Sequence, residues 1–266
     1  MQIITTDLKR ALPSWGFIIS FSGMTLVALL GVFDQIIPML QGQYRNTGLP
    51  VDFTAQLILS ALSSDTIKIV LPILCAIPFT SNFLDEYKSR YVRSYLLRSG
   101  LSNYVKSKVI VTALSGGLAL LIGLIVTIMV FTLIFLPLES SHEVVETVGM
   151  ETVGSIEAQQ NFALIMQHAL LFFLNGCLWS LLGGLMATIT MSKYMAYASP
   201  FIIYFVLVIL SERYLKDIYI INPQEWVNPQ NEWVGGIWGV ALLVGELVIL
   251  TGFSYAKLIN VRLKDA

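Results

Sequence analysis

Outside its charged stretches, this chain offers few residues with the chemistry of a site: His142, His168, Cys75, Cys177 and Glu246. The two histidines lie far apart, and no His-Glu-x-x-His or paired Cys/His spacing places them on one metal. Both cysteines fall inside apolar runs and suggest neither a disulfide framework nor a metal site. No Gly-x-Ser-x-Gly nucleophile elbow occurs. GLSNYVKS, Gly100–Ser107, approaches a phosphate-cradling loop. It lacks the glycine before the lysine and follows no strand, so it fails as one. The chain is therefore not expected to act as an enzyme by itself. Glu246 stands near the middle of an otherwise charge-free stretch, where a carboxylate is a functional candidate because burying its charge is costly. It is expected to stay neutral or to meet a cavity or a polar group such as Asn175. Glu246 and Asn175 are the candidate pathway residues.

These residues must be positioned by apolar elements. The 266 residues are 56% hydrophobic and 12% charged, against about a quarter charged in a soluble domain. Stretches near the 20 residues that a bilayer needs recur along the chain. They predict an all-α, polytopic membrane protein, a single transmembrane domain over 1–266, with six spans at about 15–37, 67–84, 105–137, 161–190, 196–214 and 234–256. The fourth-to-fifth boundary rests on SKYMAYASP, residues 192–200, with Ser199-Pro200 as a helix start; a five-helix count competes. The opening run is too long for a signal-peptide core and precedes no small-residue cleavage site. Residues 51–64 suit a short interfacial or re-entrant helix, residues 7–12 an elbow helix before Pro13, and Trp226, Trp233 and Trp238 an aromatic belt. Lys68, Asp65, Asp34 and Gln35 are expected to snorkel to an interface.

With six spans, 12 of the 16 Lys and Arg fall on the side of both termini, residues 84–108 and Lys193. The positive-inside rule then places that side in the cytoplasm. Residues 139–157 carry five glutamates and no Lys or Arg, and are expected to form a solvated outer loop.

The segment NFLDEYKSRYVRSYLLRSGLSNYVKSK, residues 82–108, holds eight charges. At about 2.5–3.5 kcal/mol each, inserting them would cost on the order of 20 kcal/mol or more. The segment is expected to lie outside the hydrocarbon. Phe83, Tyr87, Tyr91 and Tyr95 recur every four residues as one aromatic stripe, Glu86 and Arg90 suit an i,i+4 pair, and Gly100 suits a helix stop, with Ser102 capping a new start. An interfacial amphipathic helix and a protein-docking helix both fit this pattern.

The segment resembles the region between the second and third helices of ABC-2-type permeases, the membrane subunits of ATP-binding-cassette transporters. The resemblance is carried by Phe83, Glu86, Leu96-Leu97, the turn Ser99-Gly100-Leu101-Ser102, Tyr104 and Lys108. Arg90 stands where that family commonly has a glycine, which puts the expected local bend in question. The resemblance implies a cytoplasmic coupling helix that rests in a groove of a separate ATPase subunit. Phe83, Glu86, Tyr87, Arg90, Tyr91, Arg93, Tyr95, Arg98 and Gly100 would form that coupling site. It implies a second permease chain, identical or related, membrane lipid as surroundings, no nucleic acid, and ATP with Mg on the partner ATPase. The expected activity is export of an amphipathic small molecule, lipid or peptide across a bacterial plasma membrane. An ATP-independent secondary transporter is the first rival, but no inverted repeat and only one strong intramembrane charge are present. A non-transport scaffold or immunity protein is the second.

Overall fold

The computed structural model describes residues 2–40, 53–92, 96, 100–141, 151–216 and 218–264. Among the described residues, eleven α-helices follow one another: α1 (Gln2–Ala11), α2 (Trp15–Gly31), α3 (Phe33–Leu40), α4 (Phe53–Ser63), α5 (Asp65–Ala76), α6 (Asn82–Lys88), α7 (Leu101–Ser141), α8 (Glu151–Thr190), α9 (Lys193–Arg213), α10 (Pro223–Val227) and α11 (Ile237–Lys264). A 3₁₀ turn spans Tyr219–Ile221. No β-strand occurs among the described residues. Helices α7, α8, α9 and α11 are each long and apolar enough to cross a membrane. The bent pairs α1–α2 (57°) and α4–α5 (62°) raise the number to six if each is one span.

The breaks have local causes. Ser14 caps α2, its Oγ accepting from the Phe17 N–H at 3.2 Å. The second span was expected to run unbroken over 67–84. Instead α5 ends at Ala76 and turns occupy residues 77–81. Pro78 has no N–H to give the Leu74 carbonyl, and the Ser20 hydroxyl of α2 donates to that carbonyl instead, at 2.7 Å. The fourth and fifth spans are separate helices, broken at Met191 with φ 54°. The fifth does not start at Ser199-Pro200, as its sequence suggested. It starts at Lys193, and Pro200 lies inside α9. The Ala196 carbonyl that Pro200 leaves without its helical donor packs against Gly183, where a Cβ would sit 2.6 Å from it. Gly235 and Gly236, at φ 84° and 59°, delay the last span to Ile237, and it runs past the expected 256 to Lys264. The expected acidic loop is shorter than 139–157. Glu139 lies on α7, Glu151 and Glu157 lie on α8, and Glu143 and Glu146 fall outside the described residues.

Contacts fix the helix directions. Asp7 meets Ser107, and Met24 lies against Gly123, so α7 runs parallel to α2 after its α1 elbow. Gly16 lies against Ile77 and Gly31 against Ser64, so α5 runs antiparallel to α2. Gly116 and Gly117 meet Ser180 and Cys177, so α8 runs back along α7. Trp179 meets Tyr204, so α9 is antiparallel to α8. Gly184 and Ile189 meet Tyr255 and Arg262, so α11 is parallel to α8. As a result α1, α6, the start of α7, the α8–α9 turn and the end of α11 share one end of the bundle.

Small residues set the tightest crossing. A Cβ on Gly116 would overlap Ser180 Cβ and lie 2.6 Å from the Gly176 carbonyl, so α7 and α8 touch backbone to backbone. At the far end Trp179, fully buried, stacks on Trp226 with centroids 6.2 Å apart. Trp226 therefore belongs to the core, and of the three expected belt tryptophans only Trp238 stands well exposed. Lys68 does not snorkel. It is buried and bonded to Asp65 at 3.0 Å. Helix α4, the expected re-entrant element, buries Leu57, Ile58, Ala61 and Leu62 in the same core.

Candidate functional site

At the shared end, a set of polar side chains sits under the surface. Lys108, one helical turn beyond Tyr104 on α7, is 1% exposed. Its Nζ lies 2.7 Å from Glu86 Oε1 on α6 and 3.2 Å from Asp7 Oδ2 on α1. The Tyr104 hydroxyl donates to Glu86 Oε2 at 2.7 Å, and Asn82 Nδ2 donates to Oε1 at 3.1 Å. The Ser107 hydroxyl donates to Asp7 Oδ2 at 2.8 Å. The rings of Phe79 and Tyr104 each hold the ammonium 5.4 Å from their centroids. One buried cation therefore ties α6 and α7 to α1, which lies far from both in sequence. Removing one member of such a set leaves an uncompensated charge, typically at about 3–5 kcal/mol.

Helix α6 is also held on its other side. Asp85 forms an ion pair with Lys193 at the start of α9. The Tyr197 hydroxyl donates to Ser81 Oγ at 3.1 Å. Underneath, Phe83 joins one buried cluster with Tyr104 and Val105 of α7, Leu181 of α8, and Tyr255 and Ile259 of α11. A helix of seven residues thus packs on α8, bonds α7 and α9 directly, and reaches Asp7 of α1 through Lys108.

Beyond α6 the chain turns sharply. Arg90 adopts φ 59°, and its N–H reaches the Tyr87 carbonyl at 3.2 Å. The bend is therefore present although arginine stands where a glycine would relieve it. The continuous aromatic stripe is corrected accordingly. Phe83 and Tyr87 share α6, with ring centroids 5.9 Å apart, whereas Tyr91 lies past the turn. Glu86 does not pair with Arg90: its two oxygens serve Tyr104, Lys108 and Asn82. Arg93, Tyr95 and Arg98 lie outside the described residues. Gly100, at φ 73°, closes the preceding turn through its N–H to the Leu96 carbonyl at 3.0 Å, as its sequence position suggested.

Lys88, Ser89, Arg90 and Tyr91 are exposed. An open cleft beside them is lined by Arg10, Asn82, Glu86, Arg90 and Tyr91. Arg10 hydrogen-bonds Tyr91, and that bond, with Asp7 and Glu86 behind it, raises the basicity of its guanidinium further. Glu86 lines the cleft and is bonded to the buried Lys108, so the cleft wall is tied to the ion set.

The candidate pathway pair is not brought together. Asn175 is fully buried and donates to the Leu171 and Trp226 carbonyls at 2.9 and 2.8 Å. Glu246 lies on the exposed face of α11. Sequence reading missed the convergence on Lys108. Its signal was a lysine set against Val105, Val109 and Val111 at the start of an apolar helix, a position that requires buried acids. No group of three or more His, Cys, Asp or Glu side chains suited to a metal occurs among the described residues.

Fold and site together define a helical, multi-pass membrane protein with a cross-tied, charged end. No protein-family model matches the chain, and no curated protein or solved structure matches it either.

Proposed function

We propose that the chain is the membrane-spanning permease subunit of an ATP-binding-cassette transporter. Its charged end faces the cytoplasm, in keeping with the Lys and Arg excess there. A separate ATPase subunit, carrying ATP and Mg, docks on the surface formed by the end of α6 and the Arg90 turn. A second permease chain completes the unit, and its cargo is an amphipathic small molecule, lipid or peptide moved outward. The observation that carries this reading is the seating of α6. Its outer residues are exposed, while Glu86 is bonded to Lys108 of α7, and through that lysine to Asp7 of α1, and Asp85 is paired with Lys193 of α9. A push on the exposed rim is therefore delivered to three spans together, which is what a transmission element must do.

The roles divide by exposure. Arg90 and Tyr91, with Lys88, present charge and an aromatic ring to the motor. Glu86 and Phe83 face inward and act as positioning residues. The test is co-purification from detergent of the tagged full-length chain, followed by ATP hydrolysis in liposomes. The wild type is expected to retain an ATPase. Arg90→Glu and Tyr91→Ala should release it while thermal unfolding of the permease stays unchanged. Retention of the ATPase by both variants, or its absence from the wild-type preparation, would remove the reading.

A further inference from the structure

Helix α11 is the least covered of the four long spans: 17% of its most apolar window is buried, against 33–61% in the others. One face carries Trp238, Leu242, Glu246, Ile249 and Phe253 at spacings of four, four, three and four, a single helical stripe. Its apolar members are 67–74% exposed, and Glu246 is exposed among them. Glu246 is nine residues past Ile237 and eleven before Lys257. At about 1.5 Å rise per residue it sits ~14 Å from one end of the apolar stretch and ~17 Å from the other. That is the centre of a hydrocarbon layer about 30 Å thick. Lipid covers the apolar side chains of this stripe well, but it offers a carboxyl group no hydrogen bond.

Among the described residues no Lys or Arg lies at that depth. The described Lys and Arg side chains lie at the two ends of the bundle or, as Lys68 does, are already paired. A second copy does supply a match. Around a two-fold axis along the membrane normal, two α11 helices run side by side in the same direction, and residue 246 of one meets residue 246 of the other at equal depth. Two carboxyl groups facing each other at equal depth can hydrogen-bond to one another. Backbone approach is open at the neighbouring Gly245, whose added Cβ would meet nothing within 4 Å, in contrast to Gly116, Gly176 and Gly183. We propose that the Trp238–Phe253 face of α11 is a seam between two copies of this chain, closed at mid-membrane by a hydrogen-bonded Glu246–Glu246 pair. This deepens the paired-permease reading by naming the seam, yet it stands on α11 alone.

Disulfide cross-linking in membranes tests it with the full-length chain. Cys75 and Cys177 are buried, so the unmodified chain provides the baseline. Ile249→Cys should give a product of twice the chain mass on oxidation, and Ile202→Cys, equally at home on the lipid face of α9, should not. Adding Glu246→Leu to Ile249→Cys should lower the cross-linked fraction about fivefold, the scale of an interhelical hydrogen bond in a bilayer. Adding Glu246→Gln, whose amide can also pair with itself, should hold the fraction within about twofold. The seam is overturned if Ile249→Cys stays monomeric, if it links instead to a different protein, or if Glu246→Leu leaves the yield unchanged. Those failures in a chain that still retains an ATPase would leave the permease reading in place. An intact cross-link without any ATPase would do the reverse.

Discussion

Lys108 is the residue on which the charged end turns. Its ammonium lies within ion-pair distance of both Asp7 Oδ2 and Glu86 Oε1, at 3.2 and 2.7 Å. Lys108→Met keeps the length of the side chain and removes the charge, leaving two carboxylates to face each other beneath the surface. The expected loss is about 3–5 kcal/mol, read as a fall in the midpoint of thermal unfolding in detergent. Adding Asp7→Asn should recover part of it, because one of the two stranded charges is then gone. Arg90 gives the opposite sign. A left-handed conformation costs a side-chain-bearing residue about 1–2 kcal/mol, and φ at Arg90 is 59°. Glycine there relieves that strain but loses about 0.5–1 kcal/mol through chain entropy. Arg90→Gly should therefore raise stability by roughly 0.5–1 kcal/mol, seen as a higher unfolding midpoint. The same variant removes a proposed ATPase contact, so stability and ATPase retention should move in opposite directions. A residue kept at a conformational cost on an exposed turn fits a role outside the fold.

At the scale of elements, crossings are set by where a Cβ is missing. The added Cβ of Gly176 would sit 2.7 Å from the Gly116 carbonyl and 2.9 Å from Gly117 Cα, both backbone atoms that have no rotamer to escape into. Gly176→Ala should push α7 from α8 and cost about 1–3 kcal/mol, measured by unfolding. Long, uniformly apolar helices were readable from sequence because their signal is length and absence of charge. So was Gly100, whose left-handed stop depends on one residue type. The kinks were less readable. Pro78 marks a break, but its position relative to α5 depends on Ser20, which reaches Leu74 from 54 residues away. Pro200 looked like a helix start and is a helix interior, tolerated because Gly183 leaves room for the Ala196 carbonyl. The buried ion set was partly legible. Glu86, Tyr104 and Lys108 drew attention through their family-like spacing, but Asp7 joins from 101 positions before Lys108, and no local pattern encodes that pairing. Glu246 stood out as a charge in an apolar run, while its outward direction depends on how α11 packs on α8.

For the whole molecule, the alternating directions of the helices gather α1, α6, the α8–α9 turn and the end of α11 on one side. Most of the positive charge follows. Orientation in the membrane then decides whether a soluble motor can reach the Arg90 rim, so the proposal has a direct geometric consequence. Lys106 is exposed at the charged end, just before the buried Lys108. Asn231 is exposed in the connection ahead of α11, at the opposite end. The native cysteines are buried and leave a low background for a membrane-impermeant thiol reagent. In intact cells, Asn231→Cys should be labelled and Lys106→Cys should be protected until the membrane is opened. Labelling of Lys106→Cys from outside, with Asn231→Cys protected, would turn the molecule over. The buried Asp7–Lys108–Glu86 set would survive that result as a piece of folding physics, but no cytoplasmic ATPase could push on the helix it anchors.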